Sequence, residues 1–151
     1  MDEADPLAQA PPAVVAFLRD GRVGRLATAD AAGRPLVVPV CYALDGSHLY
    51  SAIDAKPKRT RHLRRLRNIE VNPQVALVVD HYEEDWATLR YVIAEGVAEI
   101  LTGGPVFARA LGLLLDKYAQ YRAMGLAHEA SGVIKIRVRA VRHWRFENPP
   151  R

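Results

Sequence analysis

The sequence predicts an antiparallel α+β domain, folded as a small β-barrel with flanking helices. Three observations point there. Two apolar runs turn back on themselves within residues 23–53. A long apolar run, Leu89–Leu101, carries a glycine in its interior, and the final run, Val133–Phe146, alternates with a period of two. Successive hairpins build meanders and closed barrels, whereas parallel strands need a crossover, usually helical, between them.

The elements follow in chain order. Residues 1–10 read as a loose tail and 148–151 as a second one, leaving 11–147 as one folded unit. Pro11 and Pro12 precede Ala13–Arg19 and Gly21 follows, the proline-first, glycine-last signature of a short helix. Val23–Thr28 is a strand, closed by the turn-like Asp30–Gly33. Leu36–Leu44 reads as one strand ending at Asp45-Gly46, the strongest hairpin signal in the chain, and His48–Ile53 returns from it. Pro39 cannot donate to a ladder, so it predicts an edge position or a bulge.

Pro57 opens a helix with Leu63, Leu66 and Ile69 on one stripe and arginines on the other faces, and Asn72-Pro73 stops it. Gln74–Tyr82 is a β-branched strand, Glu83–Trp86 a polar loop, and Leu89–Leu101 a strand in which Gly96 predicts a bulge or a barrel corner. Gly103-Gly104-Pro105 breaks the chain before a helix over about Val106–Ala123. Its apolar face comprises Phe107, Leu111, Leu114, Leu115 and Tyr118. In the last strand Ile134, Ile136 and Val138 take one side, and Lys135, Arg137 and Arg139 the other.

Composition narrows the function. Half of the 151 residues are apolar and a quarter charged, enough for a real core and too apolar for disorder. No apolar run approaches the roughly 20 residues of a membrane helix. The N-terminus is acidic and has no apolar stretch of the secretory type, so a cytoplasmic protein without a membrane partner is expected. The single cysteine, Cys41, excludes an internal disulfide and a multi-cysteine metal site, and its mid-strand position fits a small buried side chain. His48, His62, His81, His128 and His143 are scattered without ligand spacing, so no metal is expected. No GxSxG, GxxxxGK[ST] or GxGxxG is present, which removes the usual support for acyl transfer and Walker-type phosphate chemistry.

The charge distribution is more informative than its total of +4. Lys56–Arg67 holds seven basic residues and no acid; without them the chain has 14 basic residues against 17 acidic. A short loop with Lys56 and Lys58, running into a helix start near Pro57–Thr60, would aim ammonium and backbone N–H groups at one place, which suits a phosphate. A solvated helix whose basic side chains cover its apolar stripe fits the same spacing. A helix in a DNA groove fits less well, since no helix-turn-helix pair accompanies it and the remaining chain is acidic. Trp86 and Trp144 suit stacking on a planar ligand and equally suit half-buried packing.

Four stretches, in order, carry a family resemblance: Gly24–Thr28 with Gly33-Arg34-Pro35; Val38-Pro39-Val40 leading to Asp45-Gly46 and Leu49-Tyr50-Ser51; Lys58-Arg59-Thr60 with Leu63 and Asn72-Pro73; and Trp86 with Gly96-Val97-Ala98-Glu99. With a terminal strand ending in Trp144, the chain resembles the pyridoxamine 5′-phosphate oxidase-like, flavin-binding split β-barrel family, in particular its branch dependent on the deazaflavin coenzyme F420. The resemblance implies a homodimer with cofactor in a groove between subunits. It implies Lys58 and Arg59 as the paired phosphate ligands, with Lys56 and Thr60 in the same loop, and Tyr50 and Ser51 beside them. It also implies Val38, Pro39 and Val40 along the ring, with Trp86 and Trp144 completing the cofactor set. True pyridoxamine phosphate oxidases carry an arginine and a lysine where this chain has Val38 and Ala43, which argues against that substrate. Seven basic residues suit a phosphate that continues into a polyglutamate tail, as in F420. The expected activity is F420-dependent hydride transfer to or from an organic substrate, with an FMN-binding relative or a non-enzymatic flavin or deazaflavin carrier as alternatives. Hydride transfer requires no protein acid or base, so no catalytic residue is assigned; Tyr50 and Tyr91 are available for a proton.

Overall fold

Alternating apolar residues dictate seven strands in the computed structural model, which describes residues 4–54 and 61–147. In chain order the elements are α1 (Pro6–Gln9), α2 (Pro12–Asp20), β1 (Gly24–Ala29), β2 (Pro35–Val40), β3 (Ala43–Asp45), β4 (His48–Asp54), α3 (Arg61–Val71), β5 (Gln74–His81), a 3₁₀ turn (Trp86–Thr88), β6 (Arg90–Leu101), α4 (Pro105–Lys117), α5 (Ala119–Ala123), α6 (Leu126–Glu129) and β7 (Ala130–Arg145). Among the described residues no helix is long and apolar enough to cross a membrane.

All strands join one antiparallel sheet in the order β2-β1-β5-β6-β7-β4-β3. The two terminal strands of that order, β2 and β3, are separated in the chain by only Cys41 and Tyr42. Three Cα–Cα steps span at most about 11 Å, so the ends of the sheet must meet and the sheet must curl. Because β2 and β3 do not pair, a seam remains, and the architecture is a split β-barrel. The predicted single strand Leu36–Leu44 is therefore two strands, with Pro39 at an edge as expected. The Tyr42 N–H serves no ladder; it donates to Tyr118 Oη at 3.1 Å.

Leu26, Leu49, Leu77, Val92, Ile134 and Ile136 fill the barrel, joined by Leu7, Val14 and Leu18 from α1 and α2 and by Ile69 from α3. A second cluster lies outside, where Ala110, Leu111 and Leu126 of α4 and α6 cover Tyr50 and Val133. Gly96 makes the predicted bulge. The β6–β7 register shifts between Glu95 and Gly96, and a Cβ at Gly96 would overlap the Arg137 carbonyl. Gly21 follows α2 as predicted but for a different reason. Its φ is −57°, and the position needs glycine because a Cβ would collide with Tyr42 Oη and Val79.

Two further expectations need correction. Part of the expected tail, residues 1–10, is structured: Asp5 caps α1 through the Leu7 N–H (3.0 Å), and Leu7 is buried in the core. The helix expected over Val106–Ala123 breaks at Tyr118, whose extended backbone separates α4 from α5. Of the α3 arginines on the faces away from the apolar stripe, Arg65 is buried, and burial lowers its affinity for a proton.

Tyr42 and Tyr118 tie the crossover to the helices. Tyr42 Oη donates to the Leu18 carbonyl near the end of α2 (2.5 Å), and Tyr118 Oη lies 3.0 Å from the Arg22 carbonyl and 3.1 Å from that of Tyr42. Lys117 Nζ donates to the Arg19 carbonyl (3.0 Å) and sits 4.0 Å from the centre of the Tyr42 ring. Burial raises the pKa values of both tyrosines. Burial, with Arg22 nearby, lowers that of Lys117 from 10.5 to about 8.

Two predictions follow from this clamp. In Tyr42→Phe the Leu18 carbonyl loses its buried partner, and the urea midpoint falls by an amount equivalent to about 1–3 kcal/mol with an unchanged slope. The second concerns alkaline pH. The unfolded chain holds the Lys117 proton more tightly than the native one, so stability rises as pH increases from about 8 towards 10.5. The native tyrosines release their protons less readily than unfolded ones, so stability falls above pH 10. Thermal unfolding followed by circular dichroism shows both limbs in the parent, and only the fall in Lys117→Met.

Candidate functional site

Residues directly opposite on neighbouring strands share a face, so the register defines the outer surface of the barrel row by row. One row runs Val37–Ala27–Ala76–Glu95–Ala140, the next Pro39–Arg25–Val78–Ile93–Arg142, and a third Asp80–Tyr91–Trp144. Helices α4 and α6 cover β4 and the start of β7, away from these rows. Their centre is apolar, and Val37 is 61% exposed on it.

Within this face lies a recess of about 350 Å³, with Ala27 and Ala76 as its floor and Pro35, Gln74 and Glu95 around it. Two alanines side by side on adjacent strands leave the sheet backbone nearly bare, which gives a flat surface suited to a planar group. Thr28 also lines the recess, and its hydroxyl accepts from Asn68 Nδ2 of α3 at 3.0 Å, both residues being buried. The helix that carries the second half of the basic segment is thus pinned to β1.

At the other end of the face, about 13 Å along the strands at 3.3 Å per residue, the Tyr91 and Trp144 rings stack at 5.8 Å. The β5–β6 connection that carries Trp86 lies at this same end. Asp85 caps the 3₁₀ turn through the Ala87 N–H (3.1 Å), while Glu83 accepts from the Thr88 hydroxyl and pairs with His81 at 3.2 Å. The Thr88 hydrogen bond, then that of His81, lowers the Glu83 pKa. The loop is held firmly and Trp86 is left 59% exposed.

The expected site residues divide by strand alternation. Pro39 and Trp144 lie on the outer face, whereas Val38 and Val40 pack against the core. Ser51 is buried next to Tyr50 in β4 but on the opposite side, and Tyr50 lies beneath α4 and α6 with its pKa raised by burial. Lys56, Lys58, Arg59 and Thr60 fall outside the described residues. Ala27 and Ala76 were not anticipated. Each is a small residue at an outward position of an alternating strand, but their adjacency needs β1 and β5 to be neighbours. Among the described residues no group of three His, Cys, Asp or Glu side chains is placed to hold a metal. Most charges on the face are paired: Arg25–Asp80 at 2.5 Å, Arg142–Glu95 at 3.0 Å and Lys135–Glu99 at 3.5 Å. The trough therefore offers shape, apolar contact and aromatic stacking, and any electron chemistry must come from a bound group.

Comparison with known proteins agrees with this fold. Residues 10–145 match the model of the family described as pyridoxamine 5′-phosphate oxidase. Over 92 residues the chain is 36% identical to a 5a,11a-dehydrotetracycline/5a,11a-dehydrooxytetracycline reductase of Streptomyces rimosus, an alignment covering 60% of this chain and 63% of that protein. The match therefore spans less than two thirds of that relative. Among solved structures, an F420 reductase superposes with a TM-score of 0.61 at 27% identity, over 88% of this chain and 98% of that one. HutZ, a heme storage protein from Vibrio cholerae, superposes with a TM-score of 0.69 at 19% identity, over 89% and 92% of the two chains; at that identity it shows the shared fold alone.

Proposed function

The chain belongs to the pyridoxamine 5′-phosphate oxidase family, and from that premise we propose that it is an F420-dependent oxidoreductase whose cofactor lies along the outer-face trough. The observation that carries this reading is the bare floor at Ala27 and Ala76, which a planar tricyclic ring fits and bulkier side chains would block. The likeness to an F420 reductase and to a tetracycline-class reductase supports it.

Lys58 and Arg59, with Lys56 and Thr60, hold the phosphate in this proposal, and α3 fixes where that segment ends because Asn68 is anchored to Thr28. When bound, the deazaflavin supplies the carbon that gives or takes hydride. The chain supplies orientation: Ala27 and Ala76 set the plane, Pro35 and Val37 border it, and Tyr91 with Trp144 offers an aromatic surface for the substrate. Of the two tyrosines available for a proton, Tyr91 is on the open face, while Tyr50 is sealed under helices. A second copy of the chain packed on the exposed apolar rows would exclude water from the trough, so the working form in this proposal is a homodimer.

Fluorescence titration of the purified protein with F420 and with FMN tests the assignment. F420 binds at micromolar concentration or tighter, and its reduced form is consumed when an electron-acceptor panel is added. FMN binding with none of F420 would transfer the assignment to FMN, and F420 binding without turnover would make the protein a carrier. Replacing Lys58 and Arg59 together by alanine weakens F420 binding by about 2–5 kcal/mol, the loss of two charge-assisted contacts. Ala27→Leu with Ala76→Leu fills the trough and weakens binding at least about tenfold, while folding stability stays within about 0.5 kcal/mol, as for most surface substitutions.

A further inference from the structure

The alternation of the last strand leaves Lys135 and Arg137 on the outer face, and the register sets His48 of β4 directly opposite Arg137. Lys135 is two residues along the same strand, about 6.6 Å away at 3.3 Å per residue. Like charges so placed repel, a cost that a sheet normally avoids. Lys135 is offset by Glu99 at 3.5 Å. Arg137 has no carboxylate within 4 Å among the described residues. The other acids near His48 are engaged elsewhere, Asp45 with Arg109 at 2.9 Å and Asp5 as the cap of α1.

These cations do not lie on a flat surface. His48, Lys135 and Arg137, with Val97 and Glu99, line a cleft of about 170 Å³, and Arg137 also lines a neighbouring recess with Arg139 and Asp5. His48 Nδ1 is 3.4 Å from Ser47 Oγ, and among the described residues Nε2 has no protein partner. Burial, then the charges of Lys135 and Arg137, lowers the pKa of the imidazole. A partly enclosed site with net positive potential and unused donors is what an oxyanion requires.

We propose that the cleft of His48, Lys135 and Arg137 is an anion subsite that binds a carboxylate or phosphate carried by a small-molecule ligand of the outer face. The site itself stands on this geometry; that its anion belongs to the trough's ligand rests on the oxidoreductase reading. The Arg137 fork grips two oxygens, Lys135 neutralises the remaining charge and His48 donates from Nε2.

Inorganic phosphate is the probe, so the test needs no cofactor and is independent of the F420 assignment. The His48 ring signal is followed by NMR, assigned through His48→Gln, while phosphate replaces chloride at constant ionic strength. A saturable shift is expected, with the apparent dissociation constant raised tenfold or more in Arg137→Gln and in Lys135→Gln, and unchanged in Arg145→Gln. A shift that does not saturate, or one equal in parent and Arg137→Gln, overturns the proposal. The source of the anion is read by a second comparison. If it is the cofactor's tail, Arg137→Gln weakens F420 more than a deazaflavin without phosphate and glutamates; if it is the other substrate, neither is weakened. Both results are consistent with the subsite.

Discussion

Everything in this fold depends on a two-residue crossover. Cys41 and Tyr42 carry the chain from one end of the seven-strand order to the other, so the sheet cannot lie flat. Closure divides every strand into an inner and an outer set of side chains, and it does so without a β2–β3 ladder. What replaces the ladder is a pair of tyrosines whose hydroxyls and ring faces satisfy the carbonyls and cations at the ends of α2 and α4. The seam is thus held by side chains 76 residues apart in sequence.

Closure also decides where a ligand can bind. Among the described residues the inner face is filled mainly by aliphatic side chains. The outer face is covered by α4 and α6 over β4 and the beginning of β7, while α1, α2 and α3 contribute to the inner core. The uncovered part includes the surface of β1, β2, β5, the first half of β6 and the second half of β7. Small side chains there make a trough, and paired charges make its borders. A sheet face with an apolar centre and few titratable groups on its floor suits a reaction whose reactive atoms belong to a cofactor, because the protein then needs to supply position and a dry surface more than an acid or base.

The parts legible in the sequence were those decided locally. Asp45-Gly46 turns a hairpin, Pro39, with no N–H to donate, confines its strand to an edge, and Gly96 admits the close approach of the Arg137 carbonyl. Leu36–Leu44 resisted reading because its apolar run continues unbroken through a change of partners, and that change is imposed by Tyr118 from far along the chain. The break at Tyr118 was hidden for the same reason, since the residue keeps the helical apolar spacing while its hydroxyl serves the crossover. At the candidate site, period two alone separates Pro39 from Val38 and Val40, and Tyr50 from Ser51. No local rule shows that Ala27 and Ala76 become neighbours, or that α4 seals Tyr50.

Charge illustrates the same limit. Set apart from its basic segment, the chain is mildly acidic, a sum that by itself points to no second anion site. Net charge, however, sums over all directions, whereas a ligand meets the potential of one cleft. The acids of the outer face are consumed by Arg25, Arg142 and Lys135, and Asp45 by Arg109. With those carboxylates committed, the potential over β7 is set by the cations that remain, so a chain with more acids than bases outside the segment Lys56–Arg67 still presents a positive cleft. Pairing decides the field, and pairing belongs to the three-dimensional register of β4, β6 and β7.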